Sequence, residues 1–308
     1  MGGEELTRGS RTRGELPFER AFRRWAEREG VRWEETRIMR SEAGGESAAY
    51  RLSPRSAPRG VVLLVHGAGN DALFAMVGLS KRLLRSGLEV FTFDLDGHGR
   101  GGRTRLAGAT ISGAIPAAAA AALAGRSGVP LHTLGVSLGG SLLLHALPRL
   151  PVKPASAALV CAPLEIRTGW RAIGGELRPR LVRTLWRERE DYGISGLLPS
   201  FGGWKRDVYP LRLAAESPAG SFGYVVELNR ILRSLSLESA ARTVDLPVLL
   251  IYGSADRLVP AEQGERLASL LPHARLLVLP GETHLSAPMA PKALSALVAW
   301  VSGLEERA

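Results

Sequence analysis

The sequence predicts an α/β fold: a mostly parallel eight-stranded sheet with helices on both faces and a helical cap inserted after the sixth strand. Three observations lead there. From residue 61 onward short apolar runs alternate with stretches at helical spacing. The runs are continuously apolar, as strands covered on both faces require. One long interval, from Pro163 to about Leu235, breaks the alternation and is too long for a simple crossover.

Residues 1–16, rich in Gly, Arg and Glu, read as poorly ordered. A short helix follows, because Phe18, Phe22 and Trp25 recur at i, i+4 and i+7 among Arg and Glu. Docking on the domain is its expected role, since the interspersed Glu19, Glu27 and Glu29 weaken a peripheral membrane contact. Residues 31–39 and 48–52 form two antiparallel strands separated by Ala43-Gly44-Gly45. The remaining six strands are 61–65, 90–94, 131–134, 157–161, 248–252 and 276–279. Helices are expected over 71–86, 115–125, 138–146, 261–271 and 291–304. The alanine run 117–122 reads as a close-packed helix with Pro116 in its first turn. The division that results is an extension over 1–30, a core over 31–162 and 236–308, and a cap over 163–235.

Composition bounds the function. The 308 residues are 45% hydrophobic and 23% charged, as in a globular protein able to bury a large core. No stretch reaches the ~20 apolar residues that span a bilayer, and the N-terminus lacks a signal-peptide h-region, so a cytoplasmic location is expected. The single cysteine, Cys161, excludes an intrachain disulfide and a cysteine-based metal cluster, and reads as a buried structural thiol. The net charge of +10 invites a nucleic-acid reading. Yet only Lys81, Lys153, Lys205 and Lys292 are lysines, and the arginines are interleaved with acids, as over 183–191, so nucleic acid is not an expected partner. The sequence sets no oligomeric state.

The chemistry centres on Gly135-Val136-Ser137-Leu138-Gly139-Gly140, a G-x-S-x-G pentapeptide between a strand and a helix. Gly135 and Gly139 leave room for a tight crossing, and Ser137 sits on the turn, where a hydroxyl becomes an exposed nucleophile. It needs a base, a group to orient that base, and oxyanion donors. In a parallel sheet these lie on loops at the carboxyl ends of strands. That rule sets aside His132 in a strand, His145 in a helix and His273 before a strand. His66, His98 and His284 remain, and His284 is preferred because its Pro280–His284 loop follows the last strand. Asp256, which follows the strand 248–252 through Gly253-Ser254-Ala255, is the preferred orienter. Asp245 precedes that strand at the wrong edge, and Glu165 is held in reserve. The His66-Gly67-Ala68-Gly69 loop offers the Ala68 amide, which with that of Leu138 would receive an oxyanion. His66 and His98 are expected to hold loops rather than transfer protons.

These motifs together resemble the α/β-hydrolase superfamily over roughly residues 45–305: H-G-A-G after the third strand, D-L-D-G-H-G after the fourth, G-V-S-L-G-G at the elbow, G-S-A-D after the seventh and G-E-T-H after the eighth. Among its branches the chain is most similar to the monoacylglycerol-lipase, esterase and serine-aminopeptidase-like group. The resemblance implies Ser137 as nucleophile, His284 as base and Asp256 as its orienter, in a serine hydrolase acting on a small or lipid-like ester. It implies no metal and no organic cofactor. Thioesterase, peptidase and carbon–carbon hydrolase activities remain open on the same triad, and a non-catalytic scaffold is disfavoured because it has no physical need for all three residues. In the cap, Arg178, Arg180, Arg183 and Arg187 offer charge for an anionic substrate group or a solvated face. The solvated face is the expected reading. Trp170, Trp186, Phe201, Trp204, Phe222 and Tyr224 line a pocket or form the cap's own core, with the core slightly favoured.

Overall fold

Alternate residues of the central strands serve two different cores, which is what fixes the layers. In β3 (Val61–Val65), Val61, Leu63 and Val65 face one core while Val62 and Leu64 face the other, and all five are fully buried. At about 1.5–3 kcal/mol for each such side chain, a sheet of these strands anchors the fold. The computed structural model describes residues 17–39, 46–73, 76–96, 98, 108–167 and 220–303. The remaining strands are β1 (Arg32–Met39), β2 (Glu46–Ser53), β4 (Glu89–Phe93), β5 (Leu131–Val136), β6 (Ser156–Val160), β7 (Val248–Gly253) and β8 (Ala274–Leu279). They form one sheet in the order β1-β2-β4-β3-β5-β6-β7-β8. β2 runs antiparallel to both its neighbours and every other pair is parallel.

Among the described residues eight α-helices cover the sheet: α1 (Pro17–Glu29), α2 (Val77–Arg85), α3 (Gly108–Leu123), α4 (Leu138–Ala146), α5 (Gly220–Ser234), α6 (Leu237–Thr243), α7 (Ala261–Leu270) and α8 (Pro291–Val301). Buried residues of α3 to α7 share one core; those of α1, α2 and α8 share the other. In α1, Phe22 and Trp25 are buried, with the Phe22 ring 5.2 Å from Trp33 and Lys81 Nζ 5.2 Å from the centre of Trp25. The helix therefore docks on the sheet by its aromatic stripe.

Two helix expectations need correction. α3 begins at Gly108, so Pro116 lies in its interior and not in its first turn. Thr110, Ser112 and Gly113 carry low helix propensity and hide the first turns, which the buried Ala114, Ile115, Ala118, Ala119 and Ala122 hold in place. Asp71 does not start α2. Its Oδ1 accepts the Leu73 amide at 2.9 Å, a local turn that competes with helix, and α2 starts at Val77.

Between β6 and β7 the chain leaves the sheet and returns through α5 and α6. Arg178, Arg180, Arg183, Arg187, Trp170, Trp186, Phe201 and Trp204 lie outside the described residues, as does the 1–16 extension. Phe222 and Tyr224 fall on α5. Among the described residues no helix is long and apolar enough to cross a membrane.

Candidate active site

Ser137 joins β5 to α4 with φ 52° and ψ −126°, a conformation that costs a non-glycine residue roughly 1–3 kcal/mol. The surrounding glycines make it attainable. A Cβ on Gly135 would lie 2.6 Å from the Cα of Gly140, and one on Gly139 would lie 2.3 Å from the carbonyl oxygen of His66. Strand, helix and the loop after β3 thus cross at van der Waals contact. The Ser137 amide donates to Val160 O at 2.8 Å, tying the turn to the end of β6.

Ser137 Oγ lies 2.9 Å from His284 Nε2, and His284 Nδ1 lies 2.8 Å from Asp256 Oδ2. A carboxylate on Nδ1 fixes the tautomer that carries its proton there, so Nε2 is left to accept from the serine hydroxyl. The Asp256 side chain is fully buried, and its second oxygen accepts the amides of Leu258 at 2.9 Å and Val259 at 2.7 Å. The acid is therefore held by one face while the other faces the imidazole. The structure brings Ser137, His284 and Asp256 together. Glu165 is exposed, and the His284 nitrogen it would have served is bonded to Asp256. Asp245, His273, His132 and His145 make other contacts: His273 with Asp245 at 3.2 Å, His132 with Ser156 at 2.9 Å, and His145 with Arg149 at 2.7 Å.

The loops bearing Asp256 and His284 are stitched to each other. Ala255 N donates to Glu282 O at 2.9 Å and Gly281 N to Ser254 Oγ at 2.7 Å. A Cβ on Gly253 would meet the Glu282 carbonyl oxygen at 2.3 Å. Below His284, Ser286 Oγ donates to Glu282 Oε2 at 2.6 Å and accepts the Thr283 amide at 2.9 Å.

On the other side of Ser137, a Cβ on Gly67 would lie 3.0 Å from the serine Cβ, so the loop carrying Ala68 passes beside the serine. Leu138 is the first residue of α4, directly after it. Two histidines brace this loop reciprocally. His66 Nε2 accepts the Leu95 amide at 3.0 Å, and His98 Nε2 accepts the Gly69 amide at 3.1 Å. Their Nδ1 atoms donate to Gly67 O and Asp96 O, each at 2.8 Å. Burial pushes the His66 pKa down to about 4 and that of His98 to about 3, the latter helped by His66, so both rings are neutral as the two accepted bonds require. Asp94 adds a third tie, accepting the Ala72 amide at 2.8 Å.

Sequence reasoning assigned no role to Gly253, Asp94, Glu282, Ser286 or Gln263. Gly253 had a signal, since it ends a strand just before the acid. Gln263 had none: its side chain, on the first turn of α7, accepts the amides of Leu164 and Glu165 at 2.7 and 3.2 Å and donates to Glu165 O at 2.9 Å. Cys161, buried at the end of β6 with φ 48°, sits beside Asp256 and His284.

Residues 56–286 match the family described as serine aminopeptidase, S33. A monoacylglycerol lipase of Mycolicibacterium smegmatis is 25% identical over 272 residues, covering 84% of this chain and 94% of that one. A pimeloyl-[acyl-carrier protein] methyl ester esterase of Yersinia enterocolitica is 40% identical over only 68 residues, 22% of this chain and 26% of that one. The chain thus spans about a quarter of that esterase's length. An esterase of Exiguobacterium antarcticum shares the fold with a TM-score of 0.61 at 17% identity, over 87% of this chain and 99% of that one. With the matched segment running from before β3 past His284, the chain belongs to the serine aminopeptidase, S33 family of the α/β-hydrolase superfamily and is a serine hydrolase of the esterase and lipase type.

Proposed function

We propose that this chain hydrolyses small or lipid-like carboxylic esters through an acyl-enzyme on Ser137. The observation that carries the reading is the unbroken hydrogen-bonded chain from Ser137 Oγ through His284 to Asp256 Oδ2, with steps of 2.9 and 2.8 Å. His284 Nε2 takes the hydroxyl proton as Oγ attacks the carbonyl carbon, and Asp256 stabilises the imidazolium. The amides of Ala68 and Leu138 receive the oxyanion, each worth about 3 kcal/mol in the transition state. His284 then protonates the departing alcohol, activates a water for the second attack, and returns the proton to Ser137 as the acid leaves. Nothing in these steps calls for a metal or organic cofactor.

The names of the similar proteins, a monoacylglycerol lipase and a methyl ester esterase, support esters with small alcohol leaving groups. The second reading is amide hydrolysis, favoured by the family's description as an aminopeptidase. Fluorophosphonate labelling and turnover of p-nitrophenyl esters of increasing chain length, run beside aminoacyl amides, test both. Wild-type protein should label once per chain and Ser137→Ala should lose both labelling and turnover. Equal labelling of that variant overturns the nucleophile, and turnover of amides alone overturns the ester.

A further inference from the structure

Cys161 takes no part in the acyl transfer, yet the fold holds it against the acid–base pair. Its amide donates to Ile251 O at 2.7 Å, its backbone is in the left-handed region, and its side chain is fully buried. One potential ligand atom from each of Cys161, Asp256 and His284 lies within 4.8 Å of the other two. Thiolate, carboxylate and imidazole are the donor types of zinc, and bonds of about 2.0–2.3 Å bring tetrahedral ligands to roughly 3.3–3.8 Å from one another. Reaching that size needs the 2.8 Å Asp256 Oδ2–His284 Nδ1 pair to open by about half an ångström and any longer gap, none above 4.8 Å, to close by roughly an ångström.

We propose that Cys161, Asp256 and His284 form an inhibitory site for a thiophilic divalent cation, Zn2+ foremost, seated between Asp256 Oδ2 and His284 Nδ1. Regulation of this kind rests on the reading of His284 as the base. The proton balance shows why binding inhibits. The cation takes the Nδ1 position, the proton displaced from Nδ1 moves to Nε2, and the Cys161 thiol releases one proton to solvent. Nε2 then donates to Ser137 Oγ and no longer accepts from it, so no base remains.

The surroundings suit this exchange. Two anionic ligands neutralise the cation, as a buried site demands. Asp256 keeps its second oxygen on the amides of Leu258 and Val259, and the Nε2–H finds an acceptor in Ser137, the outward hydrogen bond that metal-bound histidines usually make. Access is from the His284 side, whose side chain retains 12% exposure.

Chelator-treated protein titrated with Co2+ provides a readout independent of catalysis. Wild type and Ser137→Ala should both develop a thiolate-to-cobalt charge-transfer absorption saturating at one ion per chain, displaced by Zn2+; Cys161→Ala and the closer isostere Cys161→Ser should lack it. Zinc should also slow fluorophosphonate labelling, reversibly on chelation. Each Cys161 variant should need about tenfold or more zinc for half-inhibition, measured against its own zinc-free rate, since losing even an outer partner of a ligand costs that much. Absence of the absorption in folded wild type, or its persistence in both Cys161 variants, overturns the site. If no preparation labels without zinc, the serine hydrolase reading falls while the cobalt spectrum still decides the metal site.

Discussion

His66 and His98 show how much a single residue can fix when both ring nitrogens are committed. Each accepts an amide from the opposite loop, so a proton on Nε2 would set N–H against N–H. The sign of the pH effect follows from the direction of the shifts. Both folded-state values are depressed, to about 4 and about 3, below the ordinary value of 6.5. Between about pH 6.5 and 4 the unfolded chain therefore binds protons that the folded chain refuses, and stability falls as pH falls. Each ring contributes a slope of up to about 1.4 kcal/mol per pH unit in that window. Urea melts at pH 7.5, 6.0 and 5.0 should show this loss. His98→Gln should start from a lower stability but lose distinctly less per pH unit, and an unchanged slope would count against the brace.

Among the described elements, the segment that follows β6, residues 161–167, is held by side chains from two helices. Gln263 on α7 and Asn229 on α5 act as backbone substitutes. Asn229 accepts the Ile166 amide at 2.8 Å and donates to Ile166 O at 2.9 Å, beside the three bonds of Gln263. Arg167 N donates to Leu258 O at 2.9 Å, and Leu258 N is one of the two amides that hold Asp256. The segment after β6 and the loop of Asp256 are thus joined through the main chain of Leu258. Gln263→Ala should raise KM several-fold with a smaller fall in kcat, and should cost about 1–3 kcal/mol through the stranded amides. Gln263→Glu, which accepts but cannot donate to Glu165 O, should recover only part of the KM. A variant changed in kcat alone would instead point to direct disturbance of the triad. None of this was legible in the sequence, where a glutamine in the first turn of a helix reads as solvated. The same holds for Pro116, whose helix is specified by tertiary burial of alanines and not by local propensity.

For the molecule as a whole, strand ends carried most of the legible information. The α/β order followed from runs such as Val61–Val65, which are apolar because both faces are covered. The proximity of Ser137, His284 and Asp256 followed from the rule that loops at the carboxyl ends of parallel strands converge. What the sequence hid is pairing across long separations: Gly253 against Glu282, or the charge cluster at the opposite end of the sheet. There Glu89, whose side chain is fully buried, ion-pairs with Arg51 and, at 2.6 Å, with Arg126, and accepts the Ser53 hydroxyl at 2.6 Å. Burial alone would raise the Glu89 pKa, but its partners outweigh it and the net shift is downward. Arg51 also caps the last turn of α3 through Ala121 O and Ala122 O, at 2.6 and 3.0 Å. Glu89→Ala should destabilise by about 3–5 kcal/mol in chemical denaturation, because it strands a buried guanidinium. A loss under 1 kcal/mol would show that the arginines relax to water.

The sheet order also sets a timetable. β5, β6, β7 and β8 are laid side by side in the order in which a ribosome makes them. β8 begins 21 positions after β7 ends, or roughly one to four seconds of synthesis. Until β8 has followed and paired, β7, buried along its whole length in the finished molecule, is an open apolar edge, and the loop that carries His284 is not yet in place. A nascent chain thus carries Ser137 for a while without the imidazole it meets in the finished molecule, and His284 arrives only with the strand that seals the edge.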